Sequence, residues 1–175
     1  MKSNIIIFLC LISHAIVPTL SLKLYEIVCS ELLHDNGHCF DELQADSRIN
    51  SATNYQDLSK FILDMAITEA TRAHRYLIKN LNRTPNDPAI AQCASAFYNK
   101  CIGALRSSMS EMVQDPQSAI DDTKIAGDQI TNCDNALQAQ KTRNRFAIGV
   151  LNKEALLLTE ISVLALTHLT HSGGL

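Results

Sequence analysis

The sequence predicts an all-α protein: an up-down-up-down four-helix bundle preceded by an N-terminal α-helical hairpin. Three observations carry this. Six Gly and four Pro in 175 residues are too few turn signals for a sandwich or barrel, which turns about every 8–12 residues. Four Tyr, five Phe and no Trp leave strands short of the aromatics they favour. Long stretches also repeat apolar residues at steps of three and four, the period of one helix face. The length suits a single core and leaves little room for a second.

Residues 1–21 read as a secretory signal peptide. Lys2 supplies the positive start, Ile5–Val17 is a largely apolar run, and Pro18-Thr19-Leu20-Ser21 offers a cleavage region. The apolar core falls short of the ~20 residues needed to span a bilayer. The mature chain then has 14 basic and 18 acidic residues, a net charge of -4, and five cysteines: Cys29, Cys39, Cys93, Cys101 and Cys133. The acidic balance lacks the electrostatic footprint of a nucleic-acid binder. In an oxidising compartment, five cysteines suggest two bridges and one thiol left over.

Residues 22–175 form one domain, with the hairpin over 22–50 and the bundle over 54–172. Leu22–His34 carries Leu24, Ile27, Val28 and Leu32 on one side. Asp35-Asn36-Gly37 is a turn signal, and a second short helix runs from His38 to Asp46. Cys29 and Cys39 thus stand ten positions apart, one on each arm. A bridge between them is sterically easy and would close a short loop, contributing about 2.5–3 kcal/mol in the chain-entropy model. His34 and His38 lie between them, but Cys-x4-His-x3-His-Cys is not a familiar zinc spacing, and a secreted pair tends to oxidise. No metal or other cofactor is therefore expected.

The first long helix covers Asn54–Leu81. Ile62, Ala66, Ala70, Ala73, Leu77 and Leu81 share one face, with Asn54 as cap and Asp57 in the capping-box position. Asn82–Pro88 breaks the pattern with two prolines. A second long helix, Pro88–Val113, has a stripe of Ile90, Ala94, Phe97, Cys101 and Ala104, continued by Leu105 and Met112. Asp115 and Pro116 close it and start the next, Pro116–Gln140, striped by Ala119, Thr123, Ala126, Ile130, Cys133 and Leu137. Lys141–Asn144 is a polar break, and the last helix runs over Leu151–His171. Its apolar stretch Ala155–Leu169, interrupted by Glu160 and His168, reads as a helix buried on most faces. Small stripe residues let the four helices approach closely, and short connections favour the up-down arrangement.

The helices flanking Asp115 are antiparallel neighbours, so a bridge from Cys133 to either Cys93 or Cys101 would staple the bundle. It stands 18 residues past the turn, whereas Cys93 stands 22 before and Cys101 14 before. Each candidate is off by four residues, about 6 Å. Periodicity leaves the partner open.

A signal peptide, a Cys pair ten apart on a helical hairpin, and Cys93 and Cys133 forty apart on adjacent helices resemble the plant invertase and pectin methylesterase inhibitors. Phe97 stands four after Cys93, where that family usually has an aromatic. Asn132-Cys133-Asp134 sits where it usually has Thr-Cys and a polar or acidic residue. Leu158–Leu166 looks like its last helix, and pollen-type invertase inhibitors end in a similar segment. The resemblance covers the mature chain. It implies disulfides Cys29–Cys39 and Cys93–Cys133, and Cys101 as a free thiol on the apolar stripe, buried rather than reactive.

It also implies a secreted inhibitor of the apoplast or vacuole that docks on a plant acid invertase or on pectin methylesterase. The departures lie in three places. The family's hairpin has Tyr-Pro shortly before the second Cys, against Leu33-His34-Asp35-Asn36-Gly37-His38 here; Lys100 also stands where the family tends to place Ala. The invertase-directed branch carries Pro-Lys-Phe between the helices of the second Cys pair. Here the place reads Pro116-Gln117-Ser118, without the cation and the aromatic that often supply hot-spot energy. Asp115, Pro116, Gln117 and Ser118 are the candidate target contact.

Enzymatic chemistry is not expected. The chain has no Gly-x-Ser-x-Gly, His-Glu-x-x-His, phosphate loop or Gly-x-Gly-x-x-Gly. Asp121 and Asp122 are adjacent, so a helix points them about 100° apart, a poor acid–base pair. Asp64, Glu69, Glu154 and Glu160 read as solvated or capping groups, and His74 as a structural histidine. Asn82-Arg83-Thr84 matches an N-glycosylation sequon in an expected surface loop, with Pro85 directly after it. The competing functional class is a non-inhibitory secreted bundle, a pollen or seed protein or a small-ligand binder, which keeps the scaffold; a carrier requires a cavity of a few hundred Å³.

Overall fold

The computed structural model describes residues 22–142 and 145–172. The signal-peptide reading of 1–21 falls outside them.

The hairpin is more compact than the sequence suggests. Its first helix, α1, is Leu24–Ser30, and its second, α2, is Asn36–Gln44. The Glu26 carboxylate accepts the Lys23 N–H at 2.8 Å and sets the start of α1. Residues beyond Ser30 leave the helix because Leu33 and His34 are exposed and gain nothing from helical burial. Of the expected turn, Asp35 alone is left-handed (φ 59°), and Asn36 and Gly37 already open α2. Tyr25, Val28, Cys29, Cys39 and Leu43 are buried. A short helix the periodicity does not reveal, α3, follows over Ser47–Ser51, with Asp46 accepting from the Arg48 N–H.

The bundle opens with α4, Tyr55–Arg83, and Asn54 caps it as expected by accepting the Asp57 N–H at 2.8 Å. The chain then runs through α5, Pro88–Gln92, and a π-helical turn over Cys93–Phe97 into α6, Tyr98–Glu111. The single helix expected over Pro88–Val113 is thus interrupted by a wide turn. Next is α7, Pro116–Ala139, capped by Asp115 with Pro116 in the first turn. The last helix, α8, is Arg145–Ser172 and starts six residues before the expected Leu151. Phe146 and Val150 hid that start, because both are apolar yet exposed and so break the stripe.

Helix α4 packs on α6 and α8, and α7 closes the other side against the same two helices, giving the four-helix bundle. Its interior is built from the predicted stripes: Ile62, Ala66, Ala70, Ala73 and Leu77 from α4, Ala119, Thr123, Ala126, Ile130 and Leu137 from α7, all buried. Two pairs of buried polar side chains bond each other: the Tyr98 hydroxyl donates to Asn152 Oδ1 at 2.7 Å, and Ser108 and Thr123 share a hydrogen bond at 2.8 Å. Among the described residues no helix is long and apolar enough to cross a membrane, and Ala155–Leu169 lies inside α8 as a largely buried stretch.

Disulfides join Cys29 to Cys39 and Cys93 to Cys133. The choice left open by periodicity is settled by where the helices end. The connection takes up residues 112–115, so Cys93 lies 18 residues before Glu111 and Cys133 17 after Pro116. Counted from the helix ends, the two are level. Cys101 remains free and is buried.

Candidate docking surfaces

The predicted contact lies at one end of the bundle, where α6 turns into α7. Asp115 is held by its own cap: its carboxylate accepts the Ser118 N–H at 3.0 Å and the Ser118 hydroxyl at 2.7 Å. These bonds from Ser118 hold the Asp115 carboxyl below the usual carboxylate range. Pro116 fixes the first turn, and exposed Gln117 donates to Asp121 Oδ1 at 3.3 Å. Met112 anchors the corner in the core, whereas Val113 beside it is 59% exposed. The structure therefore brings Asp115, Pro116, Gln117 and Ser118 together on a rigid capped turn. The turn offers an acid, an amide and one apolar side chain, and no cation among these four.

A second surface is formed where the hairpin meets α8. Lys153 Nζ pairs with Asp35 at 3.0 Å, His38 Nε2 with Glu154 at 3.1 Å, and His168 Nε2 with Glu31 at 2.9 Å. Lys153 holds the Asp35 carboxyl below its ordinary value. His168 also stacks on Tyr55, with ring centroids 4.6 Å apart. Glu31 and Asp35 are thus tied to positions fifteen residues apart on α8, and the hairpin connection runs along that helix. Beneath it an open groove of about 570 Å³ lies between the connection, α7 and α8, floored by Leu32, Leu156, Val163 and Leu164. Burial pushes the Glu160 carboxyl at its rim upward. Leu33 beside the groove is 92% exposed. This concavity is on the surface of the bundle, between it and the hairpin.

These contacts between hairpin and bundle were not legible in the sequence. The partners are more than a hundred residues apart, and ionic side chains carry no periodic signal that pairs them. The one local hint was Lys153-Glu154, two charges on the polar side of the last helix.

His74, Asp64, Glu69 and Asp121 have structural partners. His74 Nε2 lies 2.8 Å from the Ala94 carbonyl. Asp64 and Glu69 are paired with Arg48 and Arg72, and Asp121 with Lys124. Burial pushes the Cys101 thiol up to about 12, which keeps it protonated and unreactive. The sequon corrects one expectation: Asn82 is exposed, but it stands in the last turn of α4 and not in a loop. The Thr84 hydroxyl that completes the sequon already donates to the Asn80 carbonyl at 2.9 Å. Helix α4 runs two residues past the expected Leu81, to Arg83, before the break, and the Asn80 amide donates to the Tyr76 carbonyl at 2.8 Å.

With this geometry in place, comparison with known proteins is informative. The sequence model of the family described as "Plant invertase/pectin methylesterase inhibitor" matches residues 23–167. No curated protein matches the chain in sequence. Among solved structures, a mutant form of a pectin methylesterase inhibitor from Arabidopsis is similar with a TM-score of 0.68 and 20% identity, over 80% of this chain and 93% of that one. A pectin methylesterase inhibitor from Arabidopsis thaliana is similar with a TM-score of 0.47 and 19% identity, over 77% and 93%. The first likeness shows the shared fold.

Proposed function

The chain belongs to the plant invertase/pectin methylesterase inhibitor family, and from that premise we propose that it is a secreted protein that blocks pectin methylesterase by occluding it. Members of the family are inhibitors rather than enzymes, so the activity asked of this chain is binding. The observation that carries the choice of target is the α6–α7 corner. It is preorganised by the Asp115 cap and the Pro116 turn, which lowers the entropy lost on docking. Yet Gln117 and Ser118 stand where an invertase-directed corner has a cation and an aromatic. A turn with those side chains has no hot-spot anchor for a glycosidase active site. Occlusion of pectin methylesterase by the bundle's exposed faces requires neither.

The oxidised protein, immobilised and exposed at acidic pH to a plant cell-wall extract, tests this. Pectin methylesterase is expected to be retained, and its activity to fall on adding the protein, with acid invertase unaffected. Retention and inhibition of invertase instead would move the target to the other branch. Retention of neither would leave a bundle that has kept the scaffold and lost inhibition.

The reading places the mature protein in the apoplast. The disulfides fit an oxidising compartment. Detection of a chain beginning near residue 22 in apoplastic fluid checks the placement, and its mass also reports whether Asn82 carries a glycan.

A further inference from the structure

We propose that His38, Glu42 and Glu154 form a divalent-cation site of the zinc type, which clamps the hairpin to the last helix of the bundle. His38 and Glu42 are four residues apart on α2 and so share one face of it. Glu154 comes from α8, across the hairpin–bundle contact. One imidazole nitrogen and two carboxylate oxygens lie within 4.8 Å of one another, and all three side chains are partly buried. The shortest approach is His38 Nε2 to Glu154 at 3.1 Å.

The charge around the cluster favours a cation. Glu69 also lies close by, but it is engaged with Arg72 through two bonds of 2.7 Å. Arg72 feels Glu42 and Glu154 electrostatically, yet its Nε and Nη2 are bonded to Glu69. Glu42 therefore makes no hydrogen bond or ion pair among the described residues. Three carboxylates against one guanidinium leave two negative charges, and neutral His38 adds a nitrogen donor. A dication balances that set.

The donor set also selects among cations. One imidazole with two carboxylates suits zinc better than calcium or magnesium, which prefer oxygen alone. Tetrahedral zinc–ligand bonds of about 2.0–2.2 Å set the donors about 3.3–3.6 Å apart; His38 and Glu154 already stand 3.1 Å apart, and the wider separations, up to 4.8 Å, close by side-chain rotation. Three protein ligands leave a fourth position for water. The cluster differs from a zinc set drawn from the hairpin alone, since Cys29 and Cys39 are consumed by their disulfide and His34 is not among these ligands. It does not depend on the inhibitor reading.

Calorimetric titration of the mature, oxidised chain with zinc chloride at neutral pH tests the proposal. The expected result is one saturable equivalent per chain, with affinity weakened at least tenfold by Glu42→Gln or Glu154→Gln and unchanged by Glu160→Gln. Cobalt(II) substitution reports the site spectroscopically in the unaltered chain, through d–d absorption of a four-coordinate ion. Zinc should also slow amide exchange in residues 36–44 of the wild type, a readout that needs no variant. Absence of saturable binding, or binding that survives Glu42→Gln and Glu154→Gln together, would overturn it.

Discussion

The bundle and the hairpin are both helical, both disulfide-linked and share one apolar core, but they differ in how much of their hold is apolar. In the bundle, apolar stripes from α4, α6, α7 and α8 meet along their length, so every turn contributes burial. The hairpin has a few buried residues, mainly Tyr25, Val28, Leu43 and its disulfide, and it meets α8 through ion pairs at Glu31, Asp35 and His38. Exposed ion pairs are individually weak. The bundle is thus a long continuous core, and the hairpin adds a handful of buried side chains to that same core and supplements them with polar contacts and one short covalent loop. Each prediction below separates the two.

Removing each disulfide gives the largest contrast. Replacing Cys93 and Cys133 together by Ala frees a 40-residue loop and should lower global stability by about 4 kcal/mol in the chain-entropy model. Removing Cys29 and Cys39 frees ten residues, about 2.7 kcal/mol by the same model. That loss should be confined to the hairpin. Chemical denaturation followed by helicity should shift for the first variant, while hydrogen exchange should accelerate over residues 24–44 for the second. A full-size shift of the main transition in the second would show that hairpin and bundle unfold as one unit.

Within the bundle, the buried Tyr98–Asn152 hydrogen bond is the polar counterpart of the apolar core. Tyr98→Phe leaves Asn152 Oδ1 without its donor, at a cost of about 1–3 kcal/mol. Tyr98→Phe combined with Asn152→Leu should recover part of it, because both polar groups are then gone. Thermal unfolding of the two variants measures the difference. On the hairpin side, Arg48→Ala removes its bonds to Asp46 and Asp64 and its contact with the Phe61 ring. Exposed as this network is, the loss should be about 1 kcal/mol or less.

The same division explains what was legible in the sequence. Stripes such as Ile62–Ala66–Ala70–Ala73–Leu77 announced the four bundle helices, because burial repeats with the helical period. The start of α8 was missed where Phe146 and Val150 are apolar without being buried. The π turn at Cys93–Phe97 was missed because a single widened turn leaves the stripe nearly intact. The ambiguity between Cys93 and Cys101 has a different source, since the pairing level depends on where α6 ends and α7 begins, to within a turn. The corner at Asp115–Ser118 was legible as a cap followed by proline. The seat of the hairpin was not, because His38 with Glu154 and Glu31 with His168 are tertiary pairs between unpatterned polar residues.

Acid should separate the two regions by the smallest effect. The Asp46 carboxyl is held low chiefly by its hydrogen bond to the Arg48 side chain. Asp35 is held low chiefly by its hydrogen bond to Lys153, with the charges of His38 and His34 adding to it. Both lie in the hairpin or the turn after it, whereas Asp115, held low by Ser118, is at the bundle corner. A carboxyl whose folded value is depressed contributes stability above its unfolded value, ordinarily near 3.8 for Asp. That contribution disappears as pH falls through the folded value. Two of the three therefore weaken the hairpin as the solution drops below about pH 4, while the apolar stripes of the bundle carry no carboxyl. Amide exchange over residues 24–51 should rise in that window before the bundle's helicity falls. A simultaneous loss would show that the seat of the hairpin is set by burial of Tyr25 and Leu43 and not by its charges.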